Sequence, residues 1–157
     1  MEEGEEECCP EFNPEKWDNK KITWRGKLFI KDKVFSFFHI PLNFKSVMTQ
    51  NIERLKEAGA YDENMIVLSD EKSLFYSNVY LSAKKPIKKA LDVKVSGTFL
   101  TKVFEGPYKN MKQWIKEMKE YVETQNKEIK NLYFYHTTCP SCAKKYGKNY
   151  VVIFAEI

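Results

Sequence analysis

Apolar residues along this chain alternate between runs with a period of two and stretches spaced by three and four, and that order occurs twice. Residues 22–30 (ITWRGKLFI) offer strand formers around a turn expected at Gly26, and residues 34–40 (VFSFFHI) form an aromatic, β-branched run of strand length. After Pro41, Asn43 is the expected cap of an amphipathic helix. In it Phe44, Val47, Met48, Ile52 and Leu55 recur at intervals of three and four, and Gly59 is the expected stop. Residues 65–68 and 76–83 (YSNVYLSA) follow as short strands of a hairpin across a polar segment.

The second pass repeats the first. Residues 97–104 (GTFLTKVF) read as a strand and Glu105-Gly106-Pro107-Tyr108 as a turn. Met111, Trp114, Ile115, Met118, Tyr121 and Val122 then line one helical face. Residues 132–136 (LYFYH) and 150–157 (YVVIFAEI) complete the set, and a constant offset lays Met48, Ile52, Leu55 and Ala58 on Met111, Ile115, Met118 and Tyr121. Neither unit buries an apolar helix face and an apolar sheet face alone. The expected fold class is therefore α+β: a duplicated strand-helix-strand-strand unit forming one antiparallel sheet with two helices on one face. Residues 1–26 are expected as an irregular arm and first strand packing on the domain. Residues 27–157 form a single domain with halves at about 27–90 and 91–157.

Strand alternation then assigns faces. On the last strand Val151, Ile153 and Ala155 suit the helices, while Tyr150, Val152, Phe154 and Glu156 point away. The same split sets Leu132 and Phe134 against Tyr133 and Tyr135, Val79 and Leu81 against Tyr80, and Phe38 and Ile40 against Phe37 and His39. One reading of the second set is a layer packed under the amino-terminal arm, against Trp17 and Trp24. The other is a cleft between the halves for a flat, apolar, cationic small molecule, walled by Phe37, His39, Tyr80, Tyr108, Tyr133, Tyr135 and Tyr150, with Glu156 as counter-charge.

Composition narrows the classes. The chain has 157 residues, 43% hydrophobic and 15% aromatic, with six Gly and six Pro, which suits one folded core and argues against disorder. No stretch approaches the ~18 apolar residues of a membrane helix, and the amino terminus is acidic, so a cytoplasmic protein with no membrane partner is expected. Glu2, Glu3, Glu5, Glu6 and Glu7 take five of the 22 acidic residues against 26 basic ones, so the body is basic. Its lysines are interspersed with glutamate and no arginine cluster marks a phosphate track, so no direct nucleic-acid contact is expected.

Three local features together, FEGPY at 104–108, MKQWIKEM at 111–118 and the duplication itself, resemble the GyrI-like small-molecule-binding domain family over residues from about 27 to 157. The resemblance implies a module for aromatic, often cationic compounds. Such modules stand alone or are fused to DNA-binding helices, and one is a gyrase inhibitor protein. A subset is similar to hydrolases that open cyclopropane rings of genotoxic natural products. Residues 1–20 are too short and irregular for a DNA-binding module, so a stand-alone sensor or small enzyme is expected. The family's cavity often carries a glutamate in the second half. The position where the resemblance would place it, early in the last strand, holds Tyr150, which leaves Glu156 and Glu71 as the catalytic candidates for activating water.

The four cysteines sit in two pairs, Cys8-Cys9 and Cys139-Pro140-Ser141-Cys142, with His136 just upstream of the second. Two residues between thiolates let both reach one tetrahedral ion, so a structural zinc held by Cys8, Cys9, Cys139 and Cys142, with His136 as an alternative ligand, is one reading. A redox pair, free thiols or a disulfide joining the chain ends are the others; no organic cofactor is expected. A protein-binding inhibitor acting through the basic body is the third functional reading, and an exposed edge strand would pair two copies into a homodimer.

Overall fold

The computed structural model describes residues 12–37, 40–62, 65–70, 75–88, 90–137 and 149–157. The class is α+β. Elements run β1 (Lys20–Phe37), β2 (Ile40–Pro41), α1 (Phe44–Glu57), β3 (Val67–Asp70), β4 (Tyr76–Ser82), β5 (Leu91–Glu105), α2 (Met111–Thr124), β6 (Asn131–His136) and β7 (Tyr150–Glu156), with 3-10 turns at Pro14–Lys16 and Tyr108–Asn110. Two compact units divide the chain: residues 24–97, and residues 1–23 with 98–157.

In the unit of residues 24–97, β1 pairs antiparallel with β4 from Phe29↔Ser82 to Phe35↔Tyr76, and β4 with β3 from Val67↔Leu81 to Asp70↔Asn78. The short β2 pairs with the end of β1. Alternation sends Ile30, Val34, Val67, Val79 and Leu81 to one face, where they pack with Val47 and Leu55 of α1. The helix also buries Asn51, whose amide donates to Asp32 Oδ2 at 2.9 Å and to the Val47 carbonyl at 2.8 Å, so the polar group is satisfied inside an apolar face. The helix stops where expected. Gly59 adopts φ +68°, its amide donates to the Lys56 carbonyl at 3.1 Å, and Ala60 reaches back to the Leu55 carbonyl at 2.8 Å.

In the other unit the strand order is β6-β7-β5, with antiparallel registers Asn131↔Glu156 to His136↔Val151 and Phe99↔Glu156 to Glu105↔Tyr150. Leu100, Phe104, Phe134, Val151, Ile153 and Ala155 pack on Trp114, Met118 and Val122 of α2. The Trp114 and Phe104 rings stack at 5.7 Å and 22°. This helix ends like the first, with an asparagine in place of glycine: Asn126 has φ +60°, its amide donates to the Glu123 carbonyl at 2.9 Å, and Lys127 reaches Val122 at 3.3 Å.

Three expectations are corrected. Gly26 does not turn the chain within residues 22–30, and that run is not separate from the one that begins at Val34: Gly26 takes φ +68° inside the continuous β1, its amide donating to Ser96 Oγ at 2.7 Å, so the strand is not reversed there. The strand expected at 97–104 begins at Leu91, because Gly97, with φ +150°, likewise interrupts the side-chain pattern but not the strand. Asn43 makes no side-chain cap to α1; its Oδ1 accepts instead from the Phe35 amide at 2.8 Å. No helix among the described residues is long and apolar enough to cross a membrane.

Candidate functional site

Each unit has a sheet face turned away from its helix. In the second half, β7 supplies Tyr150, Val152, Phe154 and Glu156 to it. The registers set Phe99 and Asn131 beside Glu156, Thr101 and Tyr133 beside Phe154, and Val103 and Tyr135 beside Val152. Phe99, Val152 and Phe154 are fully buried. Phe99 meets Phe154 at 6.3 Å and Tyr133 at 6.2 Å, both edge-on. At the border of this aromatic layer the Glu156 carboxylate accepts from Asn131 Nδ2 at 3.0 Å. Asn131 is a neutral donor, and among the described residues Glu156 makes no ion pair, so its charge is held in place without being cancelled.

The amino-terminal arm covers the other end of the same face. Asn13 Oδ1 accepts from the Glu15 amide at 3.1 Å and so caps the turn opened by Pro14. Beyond the turn Trp17 packs on Tyr135 at 5.9 Å and on Phe154 at 5.3 Å, while Phe12 lies 6.2 Å from Tyr135 and 5.3 Å from Tyr150. Polar contacts fasten the arm along β5: Thr101 Oγ1 donates to the Trp17 carbonyl, the Val103 amide to Asp18 Oδ1 at 3.1 Å, and Lys102 Nζ to Asn19 Oδ1 at 3.1 Å. For Tyr135, Tyr150 and Phe154 the layer packed under the arm is thus the arrangement present. Tyr121 on α2 has its phenol pushed above the ordinary value of 10.0 by burial and then by the Asp18 carboxylate.

In the first half the corresponding face carries Phe29, Lys31, Tyr80, Asn78, Leu68 and Asp70. Tyr80 meets Phe29 edge-on at 6.4 Å, Trp24 lies on the other side of Phe29 at 5.6 Å, and Lys31 Nζ stands 5.8 Å from the Tyr80 ring. Asp70, only 4% exposed, accepts from the Tyr80 hydroxyl at 3.1 Å, from Asn78 Nδ2 at 3.2 Å and from the Asn78 amide at 3.3 Å. Sequence reasoning passed over this acid in favour of Glu71. The available signal was its place two residues beyond Leu68 on the same strand face.

Of the residues expected at a site, Tyr133, Tyr135, Tyr150 and Glu156 share one face of the second half, and Tyr80 lies on the face of the first. The backbone of Phe37, Tyr108 and His136 is placed in β1, the second 3-10 turn and β6. Their side chains, with His39, Glu71 and all four cysteines, lie outside the described residues. Among the described residues no group of three or more His, Cys, Asp or Glu side chains is arranged to hold a metal.

Solved structures similar to this chain include the EcmrR C-terminal domain, at 8% identity and a TM-score of 0.65, covering 89% of this chain and 96% of that one. A hydrolase from Listeria innocua matches at 11% identity and a TM-score of 0.60, covering 99% and 97%. A second hydrolase structure from Listeria innocua matches at 11% and 0.59, covering 89% and 92%. These likenesses give the chain the GyrI-like fold. No curated protein matches the sequence. The family described as Bacterial hydrolase matches residues 1–157, and the chain belongs to that family.

Proposed function

We propose that the protein binds a hydrophobic, aromatic, cationic small molecule on the aromatic face of its second half, with Glu156 as the counter-charge. The observation that carries this reading is the Asn131-held carboxylate of Glu156 beside Phe99 and its ring partners Tyr133 and Phe154. Each aromatic contact contributes ~0.5 to 2 kcal/mol to a flat or cationic ligand. A carboxylate whose side-chain partner among the described residues is a neutral amide favours a cation over a neutral or anionic isostere. Titration of ethidium followed by fluorescence anisotropy is expected to saturate. A linear, non-saturating signal up to the solubility of the dye would reject the reading.

Membership in the bacterial hydrolase family favours a second reading at the same place, hydrolysis of a bound electrophile. Here Glu156 accepts a proton from water as the water oxygen bonds to a strained ring carbon. The electrons of the breaking ring bond pass to a conjugated carbonyl, which takes up the proton in turn. The product of a cyclopropane-bearing substrate would be heavier by one water in mass spectrometry. Unchanged substrate after prolonged incubation would leave binding alone.

A further inference from the structure

We infer that Phe12 and Trp17 occupy the aromatic face of the second half as an internal stand-in for ligand, so that the arm selects ligands by competing with them. The inference rests on the binding reading above. The rings of Phe12 and Trp17 meet Tyr135, Tyr150 and Phe154 with centroids 5.3 to 6.2 Å apart, which is the packing a flat aromatic ligand would need from the same side chains.

The fastening is light. No residue from 12 to 19 is buried, although Phe154 beneath Trp17 is fully so. Among the described residues 12–19 the regular structure is a single 3-10 turn of three residues. A segment with exposed backbone and few buried contacts opens at a small fraction of the free energy of global unfolding. Two ring contacts per arm residue are also of the size that one ligand ring regains, so ligand and arm exchange at comparable cost. A ligand that binds near Glu156 and extends toward Tyr150 therefore displaces the arm, whereas one too small to reach Tyr135 leaves it docked.

The test uses the full chain and ethidium. Phe12→Ala with Trp17→Ala should raise affinity about tenfold, the equivalent of one or two ring contacts. Asp18→Ala, which removes the acceptor of the Val103 amide together with the carboxylate that acts on Tyr121, should move affinity the same way by less. In the unaltered protein, ethidium should speed hydrogen exchange at the Val103 amide. Equal or weaker affinity in the double variant with its thermal transition retained, or slower exchange at Val103 on binding, overturns this inference alone. Absence of saturable binding in the unaltered protein and in both variants overturns the binding reading and this inference with it.

Discussion

Glu156 and Asn131 face each other across the β6–β7 pair, joined by a side-chain hydrogen bond of 3.0 Å. The amide orients the carboxylate without neutralising it, which fixes what should happen when the charge is removed at constant shape. Glu156→Gln is expected to weaken ethidium binding about tenfold while leaving a neutral aromatic probe within twofold. Paired titrations of the two probes check this, and equal losses for both would assign Glu156 a packing role.

Asp70 is a buried acid of the other half, and among the described residues its side-chain partners are neutral donors. Asp70→Ala removes the acceptor that takes the Tyr80 hydroxyl and the Asn78 amide groups, and should cost about 1 to 3 kcal/mol of stability. Tyr80→Phe removes one donor and should cost about 1 kcal/mol. Urea denaturation measures both; a smaller loss for Asp70→Ala than for Tyr80→Phe would contradict the assignment.

The turn after β5 depends on Gly106. Its φ is +140°, and a Cβ there would lie 3.2 Å from Asn110 Nδ2 and 3.4 Å from Trp114 Cζ2. The same residue is tied to the start of β7, donating to the Asn149 carbonyl at 3.0 Å and accepting from Asn149 Nδ2 at 2.8 Å. Gly106→Ala is expected to destabilise by about 1 to 3 kcal/mol, with a lowered denaturation midpoint and an unchanged slope.

How much of this was legible in the sequence differs by element. The alternation on β7 correctly separated Val151, Ile153 and Ala155 from Phe154, because β7 is paired without interruption on both sides. The helix stops were half legible: Gly59 announces its left-handed φ, while Asn126 performs the same role with a residue common anywhere on a polar surface. Gly26 reads in the sequence as a turn and Gly97 as the start of a strand, yet both lie inside continuous strands, because only the pairing on either side decides whether the chain reverses. Asp70 was hidden by the polar residues after it. The cover over Tyr135 and Tyr150 was named only as one of two alternatives, because the arm has no periodicity of its own.

Alkaline pH should report on the arm. The Tyr121 phenol is raised first by burial and then by Asp18, so the folded state holds that proton more tightly than the unfolded chain. Its stabilising share is complete below the unfolded value near 10.0 and is lost as pH rises through the folded value. Tyr121→Phe should flatten the fall in stability above pH ~10, and Asp18→Asn should reduce it in part. Thermal melts across that range measure the difference.

The four cysteines carry a separate expectation. Phe12, three positions after Cys9, packs on Tyr135, four positions before Cys139. A shared zinc is expected to appear in native mass spectrometry as one metal per chain that a chelator removes. An unchanged mass with and without chelator would leave thiols or a disulfide.

The unit boundaries fall at Thr23 and Trp24 within β1 and at Gly97 and Thr98 within β5. What reads along the gene as two tandem copies is thus, by chain order, one copy nested inside another whose opening segment was synthesised first. Residues 12–19 leave the ribosome before the whole of 24–97, and Trp17 meets Phe154 only after that unit has been made. The second half is therefore completed by residues made before 24–97, and a cut after Thr23 would leave Phe12 and Trp17 on that face without a covalent tether through the inner unit.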